Sequence, residues 1–319
     1  MKAILKSVSR SFYLTIRFLP RPLREPISLA YLLARATDTI ADTAEIPAAT
    51  RLTTLQLLAR VLAGEEDFAA VAEPLRDFAA HQRNASERRL IENLPRCVHQ
   101  LAKMKPADRA DIREVLATIV RGQELDVQRF GDTIAVVSLR TAGDLDEYTY
   151  LVAGCVGEFW TKLGFRHLDP FASRLPNEMA ALGIEYGKGL QLVNVLRDSG
   201  ADRRAGRSYL PEEELAAAPG AEVFSRWLAK AEKQIGAGIT YCSALTNWRM
   251  RFATALPALI GARTIALLRE SGNESRLQKI KVAREEVRRI LAAGLLASAS
   301  PIALRALFQR LGARRDSSG

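Results

Sequence analysis

Apolar positions recur at three- and four-residue spacing along most of the chain, as expected for helices that each bury one face. Stretches rich in Ala, Leu, Glu and Arg are separated by short joints that carry Pro or Gly. The pattern predicts helices over roughly 22–42, 49–63, 68–82, 86–103, 107–129, 142–164, 174–202, 221–246, 250–271, 279–293 and 301–312. Strand signals are poor, because alternating β-branched and aromatic runs are nearly absent. Pro20, Pro22, Pro47, Pro106, Pro170, Pro176, Pro211 and Pro219 fall at or near the joints. No Gly/Ser-rich linker and no fixed-period repeat divides the chain. This favours a single all-α domain over residues 1–313, with a disordered tail at 314–319.

Composition narrows the class. With 319 residues, 48% of them hydrophobic and 26% charged, the chain suits a globular protein and not a disordered one. A net charge of +10 points to a polyanionic partner: nucleic acid, an anionic membrane surface, or a diphosphate-bearing small molecule. The basic residues are dispersed, with no recognised motif or aromatic-basic platform, so nucleic acid is not expected as a partner. Cys97, Cys155 and Cys242 are far apart and read as reduced, mostly buried thiols, and His81, His99 and His167 are too scattered for a zinc site. Ser7, Ser9, Arg10 and Arg17 interrupt the apolar residues of the N-terminus, unlike a signal peptide. With no apolar run of about 18 residues, no segment is expected to span a bilayer. The expected location is cytoplasmic, with at most peripheral contact with lipid at the inner face of the membrane.

Two acidic pairs carry the candidate chemistry. Asp38-Thr-Ile-Ala-Asp42 ends one long predicted helix and Asp198-Ser-Gly-Ala-Asp202 ends another. Spacing of i, i+4 puts both carboxylates of a pair on one helical face, a turn apart, where they repel each other. The helix C-terminus adds a further penalty for anions. A Mg²⁺ ion would remove both costs, since it takes hard oxygen ligands and commonly joins one or two carboxylates to substrate phosphates. A solvated helix end would explain either pair taken alone. The neighbours argue for more: Tyr31 and Arg35 share the Asp38 face, and Gln191 and Asn194 share the Asp198 face amid apolar Leu190, Leu192, Val193, Val195 and Leu196. Arg197 precedes the second pair, and Arg203, Arg204, Arg207 and Tyr209 follow it. Polar groups flanked this way need partners when buried.

At these residues the chain resembles the squalene/phytoene synthase family of head-to-head prenyltransferases. The matching segments are Val8-Ser9-Arg10-Ser11-Phe12, Tyr31-Leu-Leu-Ala-Arg35 with Asp38 to Asp42, and Tyr148-Thr-Tyr-Leu-Val-Ala-Gly154. Gln191-Leu-Val-Asn194-Val-Leu-Arg197-Asp198 through Asp202, and Gly206-Arg207-Ser-Tyr-Leu-Pro211, complete the set. The likeness runs from Ser7 to about Val287. It implies an all-α isoprenoid-synthase bundle around a central hydrophobic tunnel. It also implies that Asp38, Asp42, Asp198 and Asp202, with Asn194, hold Mg²⁺. Arg10, Ser11, Tyr31, Arg35, Gln191, Arg197, Arg207 and Tyr209 would contact the diphosphate of a prenyl diphosphate substrate or its metals. Tyr148 matches a family tyrosine implicated in the first condensation, through proton transfer or by stabilising a cationic intermediate. Leu151, Val152, Ala153, Cys155, Val156, Phe159 and Trp160 would give the dry wall that a carbocation requires.

Within that family the expected reaction joins two farnesyl diphosphates through a cyclopropylcarbinyl diphosphate, followed by NADPH-dependent reduction to squalene. Phytoene or dehydrosqualene synthesis without reduction is the alternative, and a catalytically silent assembly factor of the same fold ranks below both. The Asp-Thr pattern of the first pair leans toward the squalene type. So does the basic segment Lys279-Ile-Lys281-Val-Ala-Arg284, which resembles a stretch near the family's NADPH site; it reads equally as the solvated start of a helix. The helix beginning at Pro301 fits either bundle packing or contact with anionic lipid.

Overall fold

The computed structural model describes residues 2–132, 135–271 and 280–313, with Lys2 and Arg10–Phe12 as backbone only. Lys279 and the expected disordered tail at 314–319 lie outside the described residues. The chain is all-α, and its contacts divide it into two compact units, residues 1–133 and 134–319.

The first unit contains α1 (Lys2–Phe18), α2 (Arg21–Asp42), α3 (Ala48–Ala63), α4 (Ala69–His81), α5 (Ala85–Glu92), α6 (Leu94–Lys103) and α7 (Pro106–Phe130). Helix α2 buries Leu23, Ile27, Ala30 and Leu33 and packs on α7, which buries Ile112, Val115, Ile119 and Val120 on its own apolar stripe. Two departures from the sequence pattern have clear causes. Helix α1 precedes the first helix expected from the sequence, and its polar serines are absorbed within it: the Ser7 hydroxyl donates to the Ile4 carbonyl (2.8 Å) and that of Ser9 to Leu5. The helix expected over 86–103 is broken at Asn93, because Pro95 in the first turn of α6 lacks the N–H that would continue α5.

The second unit contains α8 (Ala142–Thr149), a π-helical turn (Tyr150–Gly154), α9 (Cys155–His167), α10 (Pro176–Arg204), α11 (Glu212–Ala217), α12 (Gly220–Ala244), α13 (Trp248–Ser271), α14 (Arg284–Ala297) and α15 (Pro301–Gly312). One two-residue parallel pairing joins β1 (Val137–Ser138) to β2 (Arg207–Ser208). Helix α10 is the axis, packed by α12 on one side and by α9 and the π turn on another. Its approach to α9 is close because both helices present glycine at the crossing, Gly157 facing Gly183. Helix α13 is long and apolar enough to cross a membrane by length and composition, which a search for uninterrupted runs misses; 83% of its apolar window is buried within the protein. Helix α14 begins at Arg284, five residues later than expected, and buried Arg263 of α13 ties it down through Glu286 at 2.7 Å. Cys97, Cys155 and Cys242 are buried and free.

Candidate active-site residues

In the first unit the acidic pair closes α2 as expected. Arg35 stands 3.8 Å from the Asp38 carboxylate but gives its hydrogen bond to Glu87 of α5. Gln123 of α7 donates to Asp38 Oδ1 at 2.5 Å. Burial first, and then the charge of Asp42, push the Asp38 carboxyl up to about 6, against the opposing pull of Arg35 and Gln123. Its side chain is nevertheless 44% open, which describes a carboxylate set in a recess and not one sealed from water. The carbonyl oxygen of Gln123 is buried with no hydrogen-bond partner, beside two carboxylates that repel. These donors fit a hard divalent cation and its bound water. Tyr31, expected at the diphosphate, donates its hydroxyl to the Val8 carbonyl at 3.3 Å. The side chains of Arg10 and Ser11 lie outside the described residues.

In the second unit α10 brings its polar residues into one line. Asn194 donates to Gln191 Oε1 and Gln191 donates to Tyr148 Oη, each at 3.4 Å. The Tyr148 ring stacks on Tyr209, with centroids 4.8 Å apart and planes 24° apart. Tyr209 reaches that place because Gly206, at φ +80°, turns the chain out of α10 into β2, which pairs with β1. The repulsion expected within Asp198/Asp202 is offset by arginines: Arg197 grips Asp198 through two hydrogen bonds (3.2 and 2.5 Å), and Arg207 bonds Asp202 at 3.2 Å. A cavity of about 610 Å³ opens beside Asp202, Arg207 and Tyr209, with Arg203 on its polar side and Leu215 and Phe224 on its apolar side.

Lys281 and Arg284, expected at a nicotinamide cofactor, are exposed, Lys281 in the non-helical run before α14 and Arg284 at its first residue. The sequence reading missed Glu87 and Gln123. Gln123 did leave a signal, as a polar residue on the stripe formed by Ile119, Val120 and Val127. It also missed a charge cluster midway along α10, where nearly buried Lys188 bonds Asp146 of α8 at 2.7 Å and Lys230 of α12 bonds the same carboxylate at 3.1 Å.

An all-α fold carrying Asp-x-x-x-Asp at the ends of two long helices defines the class. The described fold is similar to that of TcSQS solved with a ligand, with a TM-score of 0.75 and 22% identity over 99% of this chain and 91% of that one. The squalene/phytoene synthase family model matches residues 5–286, and the chain belongs to that family. It is 30% identical to the squalene synthase BSS of Botryococcus braunii, over 66% of this chain and 42% of that protein. It is 29% identical to the bifunctional lycopene cyclase/phytoene synthase of Arthroderma gypseum, over 67% of this chain and 34% of that one. The chain thus spans well under half the length of these curated relatives.

Proposed function

We propose that the protein joins two prenyl diphosphates head to head, with farnesyl diphosphate as substrate and an NADPH-dependent reduction to squalene as its second half-reaction. The family match across residues 5–286, a span that contains both acidic pairs, is the observation that carries this reading. Asp38, Asp42, Asp198, Asp202 and Asn194 would hold Mg²⁺, which when bound neutralises the charge that gathers on a departing diphosphate. The chain's own groups have separate tasks. Gln123 orients Asp38, and Arg197 orients Asp198. Arg207 and Arg203, at the cavity beside α10, receive phosphate oxygens, and Leu215 and Phe224 keep water from the prenyl chain. The stacked rings of Tyr148 and Tyr209 offer π faces to a cationic intermediate. The Gln191 amide donates to Tyr148 Oη, which helps to hold the phenol in place for proton transfer.

Phytoene-type synthesis without reduction is the second reading, favoured by a phytoene synthase relative as similar as the squalene synthase one. Incubation with farnesyl diphosphate and Mg²⁺, with and without NADPH, separates the two. Squalene formed only with NADPH is the expected result; an NADPH-indifferent product, or turnover of geranylgeranyl diphosphate alone, overturns the lead reading. Asp198→Ala is expected to abolish diphosphate release, and Lys281→Ala with Arg284→Ala to weaken NADPH dependence.

A further inference from the structure

Helices α14 and α15 dock by one face only. Ile290, Gly294 and Ala297 of α14 and Leu304 and Leu307 of α15 are buried, and both helices pack on α13. A helix docked in this way ordinarily turns a polar face to water. Here apolar Ala292, Leu295 and Leu296 on α14 and Ile302, Ala303 and Ala306 on α15 are exposed among the outward arginines, most of them towards the turn that joins the two helices. Leu296 and Ile302, on either side of the turn between the helices, are each 78% exposed, more than any other large apolar side chain described.

The charge pattern of the segment is equally one-sided. Arg288, Arg289, Arg305 and Arg310 are all exposed, and no Asp or Glu occurs from Arg288 to Ala313. The Arg305 guanidinium donates to Ser243 of α12 at 3.2 Å, which holds it at the rim of the apolar strip. Exposed aliphatic side chains on either side of a turn, rimmed by cations and without acids from Arg288 to Ala313, match the interface of an anionic bilayer. A protein partner of mixed charge has no such match.

We propose that the turn between α14 and α15 docks on anionic lipid, with Leu296 and Ile302 entering below the headgroups and the four arginines pairing with lipid phosphates. This contact is independent of the catalytic reading.

Flotation of the full chain with phosphatidylcholine vesicles, with and without about 30% phosphatidylglycerol, tests it. Binding to the anionic vesicles is expected to exceed binding to the neutral ones by about 10-fold and to weaken at about 0.5 M salt. Leu296→Ser/Ile302→Ser is expected to lose that binding, and so, separately, is Arg289→Gln/Arg305→Gln. All four positions are exposed, so thermal melts are expected to stay unchanged, and the charge variant keeps the test valid if the serine variant unfolds. Equal binding to both vesicles, no binding, or unchanged binding by both variants overturns the proposal. So does self-association that the serine variant abolishes without any vesicle binding, which would assign the face to a second copy of the chain.

Discussion

Gly157→Ala puts a methyl group where α9 and α10 have no room for one. The added carbon would lie 1.9 Å from the Gly183 carbonyl oxygen and 2.4 Å from its carbon, whereas ordinary contact begins near 3.4 Å. The helices must therefore part by about 1.5 Å, because the obstacle is backbone and cannot rotate away. Overpacking of this kind costs about 1–3 kcal/mol, with this case at the upper end because a whole helix must move. Alanine's better helix propensity returns about 1 kcal/mol, leaving a net loss of about 1–2 kcal/mol. Gly236→Ala is the control: it makes the same change in α12, where an added methyl meets nothing within 4 Å, so only the propensity gain remains. Thermal unfolding followed by circular dichroism is expected to show Gly157→Ala melting about 2–8 °C lower and Gly236→Ala about 2–4 °C higher. If Gly157→Ala melts at or above the parent, or the two variants shift in the same direction, the close approach of α9 and α10 is wrong.

Two further predictions rest on polar contacts. Gln123→Leu removes the hydrogen bond to Asp38 and the buried carbonyl beside it, so Mg²⁺ affinity is expected to fall about 10-fold. Mn²⁺ titration by electron paramagnetic resonance reads this directly, and an unchanged midpoint would remove Gln123 from the site. Burial alone would raise the Asp146 carboxyl, but the hydrogen bonds and charges of Lys188 and Lys230 hold it below its ordinary value. A depressed carboxylate stabilises the fold fully above its unfolded pKa of about 4 and loses that contribution as pH falls through the folded value. Lys188→Met is therefore expected to cost about 1–2 kcal/mol at neutral pH, a figure discounted because Asp146 is 42% exposed. Urea unfolding should show the deficit shrinking below about pH 4, and a deficit independent of pH would mean that packing alone explains Lys188.

What was legible in the chain was whatever repeats locally. The spacing of apolar residues between Pro- and Gly-bearing joints located α2, α7, α10, α12 and α13 to within a few residues, even though α13 is buried on nearly every side and not along one stripe. Both acidic pairs showed because i, i+4 spacing is itself a statement about helix geometry. What escaped were partners supplied from elsewhere in the chain: Glu87 lies 52 residues from Arg35, and Gln123 lies 85 from Asp38. Helix α1, which carries Ser7, Ser9 and Ser11 among its apolar residues, also escaped, and no period announces the π turn after Tyr148.

Those long-range partners also make the two acidic pairs unequal, although the sequence presents them as twins. Asp198 and Asp202 are each held by an arginine, Arg197 and Arg207. Arg35 stands 3.8 Å from Asp38 and is shared with Glu87, and burial and Asp42 raise the Asp38 carboxyl to about 6. A cation would therefore gain most at Asp38/Asp42, where it would relieve the burial and repulsion that raise the Asp38 carboxyl even against Arg35 and Gln123. At Asp198/Asp202 a cation must compete with guanidinium groups already in place. Taking over those carboxylates would turn Arg197 and Arg207 toward phosphate oxygens, so metal and diphosphate would bind α10 together, each favouring the other. In the proposed site the Asp198 pair would thereby be the one whose metal affinity depends on diphosphate, and the Asp38 pair the one expected to bind metal without it.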